Sequence, residues 1–180
     1  MPVNLTPKDV SAELAESDSV LIASCPVCPP MCVAMQNDAP FIEFFKHGIK
    51  TAAFEGHIRS IRDSLTKRGV RTGVFSIHTP TPMMCLWTES QRRRFLKRAK
   101  DYDAVLVLAC DSGTVSARDA LEGTDCSVVQ ALQMDGVVNA TTTIGFPLVV
   151  SMKPNMESPG PISGPPPTDH GEHTFTEQAG

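Results

Sequence analysis

The stretch VLIASCPVCPPMCV, residues 20–33, decides how this chain is organised. It opens with four apolar residues, which predict a buried strand at 19–24. Three cysteines follow at the spacing C-x2-C-x3-C, with prolines between them. In parallel α/β proteins, sites form beyond the carboxyl ends of the strands. A strand that runs directly into a cysteine-rich turn therefore indicates a functional site at the edge of a sheet.

The rest of the chain alternates between strand and helix patterns. Further strands are predicted at 71–77, 103–109 and 128–132. Helices are predicted at 5–17, 31–37, 53–68, from a capping box at Thr88 and Gln91 to about Lys100, and at 112–121. This alternation predicts an α/β fold of three layers, Rossmann-like or flavodoxin-like, in which helices cover both faces of a mostly parallel sheet.

The length of 180 residues suits one domain with a sizeable core. We expect this α/β cysteine-cluster domain to span residues 1–151. Residues 152–180 are rich in Pro and Gly and contain too few apolar residues to form a core, so they are expected to form a disordered tail.

The charge and the N-terminal sequence bear on the compartment and the partners. A net charge of −4 gives no general reason to expect nucleic acid as a partner. Residues 1–19 are polar, which predicts no signal peptide, and no apolar run reaches the roughly 20 residues that span a bilayer. We therefore expect a cytoplasmic protein whose six cysteines are ligands, redox groups or core residues rather than disulfides.

Cysteines follow three separate predicted strands. Cys25 comes directly after the first strand, Cys85 lies in the connection after 71–77, and Cys110 ends the strand at 103–109. Because the carboxyl ends of parallel strands share one edge of the sheet, we expect these thiols to meet there. The predicted metal ligands are Cys25, Cys28, Cys32, Cys85 and Cys110. Cys126 instead precedes its strand, and is expected at the opposite edge as a structural residue.

Several chemistries suit such a cluster of thiols. Four thiolates fit an iron–sulfur cluster or a structural zinc ion. The C-x2-C-x3-C spacing is tighter than that of two separated zinc knuckles, and it favours a cubane cluster of the 4Fe–4S type. A zinc-stabilised scaffold protein without a redox role is the first alternative. The second is a thiol-dependent enzyme with Cys25 as nucleophile.

Two further features have a functional and a structural interpretation. The turn Asp111, Ser112 and Gly113 opens a helix, where backbone N–H groups can contact an anionic cofactor or donate to cluster sulfides. It lacks the G-x-G-x-x-G spacing of dinucleotide sites. The basic run from Arg92 to Lys100 is either a solvated helix face or a docking surface for an acidic partner. His78, at a strand end, is a further candidate ligand or proton donor.

Three segments together resemble one protein family. VLIASCPVCPPMC (20–32), the later Cys85, and DYDAVLVLACDSGTVSARDAL (101–121) resemble the small subunit of acetogen-type methylenetetrahydrofolate reductase. The resemblance covers roughly residues 5–145. It implies that the five cysteines named above serve an iron–sulfur cluster. It also implies a non-catalytic electron-transfer subunit that pairs with a flavin-containing catalytic subunit in one-carbon metabolism. A related accessory role in corrinoid-dependent methyl transfer is the alternative.

Overall fold

The computed structural model describes residues 3–76 and 82–155. The strands are β1 (Val3–Pro7), β2 (Ser19–Ser24), β3 (Ile42–Glu43), β4 (Arg71–Ser76), β5 (Ala104–Leu108), β6 (Ser127–Gln130), β7 (Leu132–Val137), β8 (Ala140–Gly145) and β9 (Val149–Pro154). The α-helices are α1 (Cys28–Gln36), α2 (Phe44–His47), α3 (Ala52–Lys67), α4 (Glu89–Ala99) and α5 (Asp111–Ala120). No helix in these two stretches is long and apolar enough to cross a membrane.

The central sheet contains four parallel strands in the order β4–β2–β5–β6. From β2 the chain first reaches β4 on one side and then crosses to β5 on the other. Flavodoxin-like sheets order their first four strands in this way, and the reversal opens a crevice at the carboxyl ends of the two central strands. The predicted α/β class with a mostly parallel sheet is confirmed.

Helices cover both faces of this sheet, because alternate side chains of each strand point to opposite sides. Val20 and Ile22 of β2 face a core shared with α1 and α3. Leu21 and Ala23 face a second core, shared with α4 and α5. All six residues of β2 are buried. The capping box predicted at the start of α4 is present, with Thr88 and Gln91 each accepting a hydrogen bond from the other's backbone N–H.

The helix predicted at 5–17 is wrong. The segment begins with β1, which pairs antiparallel with β7, and turns follow it. Leu5 is 2% exposed and packs in the core of the α1 and α3 face. Burial of this side chain against β7 outweighs the local helix-start signal of Thr6 and Pro7, because tertiary packing overrides weak propensities.

The C-terminal third also differs from the sequence prediction. The single strand predicted at 128–132 is two strands, since β6 joins the central sheet while β7 pairs with β1. A hairpin of β8 and β9, which was not predicted, forms a third sheet with β3. Residues 152–154 of the expected tail belong to β9. Residues 156–180 lie outside the described part of the chain.

Substitution of Gly73 tests the packing of the sheet edge. A Cβ at Gly73 would lie 2.8 Å from Cζ of Tyr102 and 3.2 Å from Cδ1 of Leu21, and both neighbours are buried. We expect Gly73→Ala to lower the free energy of unfolding by about 1–3 kcal/mol, because the site is already filled. Urea denaturation measures this change.

Gly56→Ala is the matched control. On α3 the added Cβ would meet nothing closer than a guanidinium nitrogen of Arg59 at 3.9 Å. Helix propensity then predicts a gain of up to about 1 kcal/mol. Equal effects of the two substitutions would contradict this account of the packing.

Candidate metal centre

The ends of the two central strands are tied together at the crevice. The backbone N–H of Cys25, just after β2, donates to the carbonyl oxygen of Leu108 at the end of β5, with an N···O distance of 2.9 Å. Two residues later Cys110 serves as the N-cap of α5. Both predicted ligands therefore lie at the same edge of the sheet, delivered by strands that are far apart in sequence.

Prolines shape the loop between β2 and α1. Pro29 and Pro30 occupy the first turn of the helix, where a backbone N–H has no partner within the helix. Burial raises the pKa of the Cys25 thiol, and the remaining amides of the loop, those of Val27 and Cys28, offset part of that rise. The side chain is only 4% exposed, which argues against the nucleophilic role considered for it.

A short 3-10 turn, Met84–Leu86, brings Cys85 to this edge. The backbone N–H of Met84 also lowers the pKa of Cys25, and the Met84 side chain is fully buried. Gly113 of α5 permits this approach, because a Cβ there would lie 3.2 Å from the Cβ of Met84. Cys85 itself is exposed to solvent.

Cys28 and Cys110 interact at this edge of the sheet. The Cys28 thiol and the backbone N–H groups of Ser112 and Gly113, which lie at the start of α5, lower the pKa of Cys110 to about 6. The interaction with Cys110, together with burial, raises the pKa of Cys28. Of the two thiols, Cys110 is therefore the one that ionises first in the metal-free chain.

The structure sets Cys32 apart from the other predicted ligands. Its sulfur accepts a hydrogen bond from the N–H of Leu5 at 3.2 Å, and its thiol donates to the carbonyl oxygen of the same residue at 3.4 Å. A helix rises about 1.5 Å per residue, so four residues carry this thiol about 6 Å away from Cys28 along the axis of α1. Cys32 thus lies over the face of the sheet, beside β1, and is 2% exposed.

The turn predicted to contact a cofactor serves Cys110 instead. The backbone N–H groups of Ser112 and Gly113 lower its pKa. The carboxylate of Asp111 accepts a hydrogen bond from the side-chain amide of Gln130, at the end of β6. Ser112 and Gly113 therefore stabilise the thiolate form of Cys110, and Asp111 is hydrogen-bonded to the neighbouring strand.

Cys126 lies at the opposite edge, as predicted. It lines a cavity of about 520 Å³ together with Ser19 and Asp103, which stand at or just before the starts of β2 and β5. His78 falls outside the described residues. Within the stretches that are described, no three His, Cys, Asp or Glu side chains are grouped so as to hold one metal ion.

No family model matches this chain, and the searches of curated proteins and of solved structures found no similar protein. The resemblance to the reductase small subunit therefore rests on the cysteine motifs alone. The geometry of the thiols is the independent basis for assigning a function.

The thiolate at Cys110 can be tested in metal-free protein. We expect its alkylation by iodoacetamide to reach half its maximal rate near pH 6, where the thiol ionises. Cys28→Ala removes the neighbouring thiol, the group that lowers this pKa most, so the pKa should rise towards its ordinary value and the rate at about pH 6 should fall about tenfold. Mass spectrometry of the Cys110 peptide measures the rate.

Cys32→Ala serves as the control, because the Cys32 thiol contacts β1 and not Cys110. Its alkylation profile should match that of the wild type. If Cys28→Ala also left the alkylation profile of Cys110 unchanged, the interaction between the Cys28 and Cys110 thiols would be refuted.

Proposed function

We propose that this chain is an iron–sulfur protein in which Cys25, Cys28, Cys85 and Cys110 hold one cluster of the 4Fe–4S type. One observation carries the proposal: the 2.9 Å hydrogen bond from the Cys25 N–H to the Leu108 carbonyl oxygen holds the loop of Cys25 and Cys28 beside the turn of Cys110. Cys28 accordingly interacts with Cys110, and electrostatically with Cys25 and Cys85. Four cysteine thiolates are the usual ligand set of such clusters. The fifth predicted ligand, Cys32, is omitted because its sulfur is engaged with β1.

The C-x2-C-x3-C motif and the resemblance to the reductase small subunit favour a cluster over a single zinc ion. Four thiolates are a suitable ligand set for either group. The absence of a preformed metal-binding group among the described residues favours neither. Backbone N–H groups directed at cysteine sulfur, as at Cys25 and Cys110, are among the contacts that tune cluster potentials.

When bound, the cluster supplies one-electron transfer. The loops at the strand ends position the thiolates, and nearby backbone N–H groups stabilise their negative charge. They also exclude water from the inner side of the site, where Met84 and Ala109 are fully buried. Cys85 is exposed and marks the side that is open to a partner.

The resemblance extends this proposal to a biological role. It supports an electron-transfer or accessory subunit that passes electrons to or from a flavin-containing catalytic subunit, in a complex like methylenetetrahydrofolate reductase. The three cysteine-bearing segments support this partner, and nothing else in the chain bears on it. Corrinoid-dependent methyl transfer is the alternative setting for the same cluster.

One observation favours a second candidate function. The low pKa of Cys110, at the N-terminus of α5, is typical of reactive cysteines. A metal-free thiol protein with Cys110 as nucleophile would use the same residues without any cluster. The zinc-stabilised scaffold is the third possibility that the same experiment separates.

Anaerobic purification with iron, sulfide and zinc analysis tests the proposal. We expect about four iron and four sulfide atoms per chain and a brown protein. Alanine at Cys25, Cys28, Cys85 or Cys110 should remove most of the iron and the visible absorption, because each substitution deletes a ligand. Cys32→Ala and Cys126→Ala are the matched controls and should retain both.

The single tryptophan provides a second measurement, since Trp87 lies two residues from Cys85 and a bound cluster should quench its fluorescence. Stoichiometric zinc without iron would favour the scaffold. A metal-free chain with a reactive Cys110 would favour the thiol protein. Either result contradicts the electron-transfer proposal.

Gly113→Ala tests how the Cys85 turn is positioned. The added methyl group would lie 2.7 Å from the Cβ of Ala109, just after β5, and 3.2 Å from the Cβ of Met84, so α5 must shift relative to both the strand end and the 3-10 turn. We expect the substitution to weaken cluster retention by about tenfold, in the range of other contacts that orient metal ligands. The rate of iron loss to a chelator measures retention. Asp111→Ala is the comparison, because its carboxylate contacts Gln130 and not a thiol, and it should leave the rate unchanged.

A further inference from the structure

β4 forms an open edge of the central sheet. Within the described residues its pairing partner is β2 alone. The N–H of Arg71 donates to the carbonyl oxygen of Asp18 at 2.8 Å, on the side of β2. Alternate residues of a parallel strand bond to opposite sides, so the N–H groups of Thr72, Val74 and Ser76 face outward. No charge or proline, which proteins use to block sheet edges, lies between Thr72 and Ser76.

Basic side chains of α4 lie beside this edge. A groove of about 480 Å³ separates β4 from α4, and Arg94, Lys97 and Arg98 line it. In the part of the chain that the structure describes, none of these three side chains forms an ion pair. The ion pair of this helix joins Arg93 to Glu89, away from the groove, at 3.9 Å. Arg98 lies over the ring of Tyr102, with its Cζ 5.7 Å from the ring centroid, and the acidic residue of the lining is Asp101. The groove therefore presents a net positive charge.

The spacing of these charges matches an extended ligand. Residues four apart on a helix, such as Arg94 and Arg98, lie about 6 Å apart. Alternate residues of a strand lie about 6.6 Å apart on the same face. Asp101 lines the end of the groove where β4 begins. The carboxylates of an incoming strand would therefore lie nearer to Val74 and Ser76.

We propose that this groove binds an extended acidic segment of a partner protein, which adds as a strand to β4 while its alternate carboxylates pair with Arg94, Lys97 and Arg98. Strand addition gives affinity through backbone hydrogen bonds, and the side-chain charges select the sequence. The proposal does not depend on what the thiols hold. The net charge of −4 on the whole chain argues against nucleic acid as the ligand.

A synthetic peptide of about nine alternating Glu and Val residues serves as the probe. We expect it to bind the full-length protein in fluorescence anisotropy at low salt, and a Lys–Val peptide of the same length not to bind. The double substitution Arg94→Glu, Lys97→Glu should weaken binding at least about tenfold, because it reverses the charge of two of the three basic side chains that line the groove. Arg93→Glu is the matched control on the same helix, and it should change the affinity less than about twofold because Arg93 lies outside the groove.

Two further ligands separate strand addition from simple attraction between charges. A Glu–Val peptide methylated at alternate backbone nitrogens keeps its charge but cannot complete the ladder, and we expect it to bind at least about tenfold more weakly. An oligothymidylate of equal charge should bind no better than the Lys–Val peptide. Equal binding of the methylated peptide, strong binding of the oligonucleotide, or no binding of the Glu–Val peptide would each overturn the proposal.

Discussion

The hydrogen bond between the Cys25 N–H and the Leu108 carbonyl oxygen fixes the distance between the two central strands at the point where both end. Every other contact at the crevice depends on this junction. It holds the loop that carries Cys25 and Cys28 against the turn that carries Cys110. Because β2 and β5 are buried along their whole length, neither strand can shift without exposing apolar side chains to water.

Electrostatic balance is the second requirement at this edge. The pKa of Cys28 is raised chiefly by its side-chain interaction with Cys110 and by burial, and the charges of Cys110, Cys25 and Cys85 raise it further. Several thiols in a half-buried site thus repel one another once they ionise. The chain offsets that repulsion with backbone N–H groups, which carry partial positive charge and need no extra side chain. Two of them open α5, and others come from the proline-rich loop and the 3-10 turn. The elements that position the sulfur atoms thus also stabilise their negative charge.

Much of this arrangement could be predicted from the sequence, because it depends on local patterns. The apolar runs at 19–24 and 103–109 specified the central strands, and the rule for carboxyl ends then placed Cys25 and Cys110 together. The capping box at Thr88 was equally local. What escaped prediction depends on contacts remote in sequence. β1 is a strand because β7, more than 120 residues later, pairs with it. Cys32 is separated from Cys28 because α1 runs back over the sheet towards Leu5. The i,i+4 spacing places both thiols on one face of the helix, but it does not show which element each thiol contacts.

The paired prolines at the start of α1 have a consequence for how readily the site can change its occupancy. Proline restricts the backbone of the unfolded and the folded chain alike. A loop with Pro26, Pro29 and Pro30 therefore has little conformational freedom to lose on binding a ligand. If the proposed cluster is bound there, preorganisation of this kind would let the domain stay folded with the site empty or filled, and assembly or repair of the cluster would not require the polypeptide to refold.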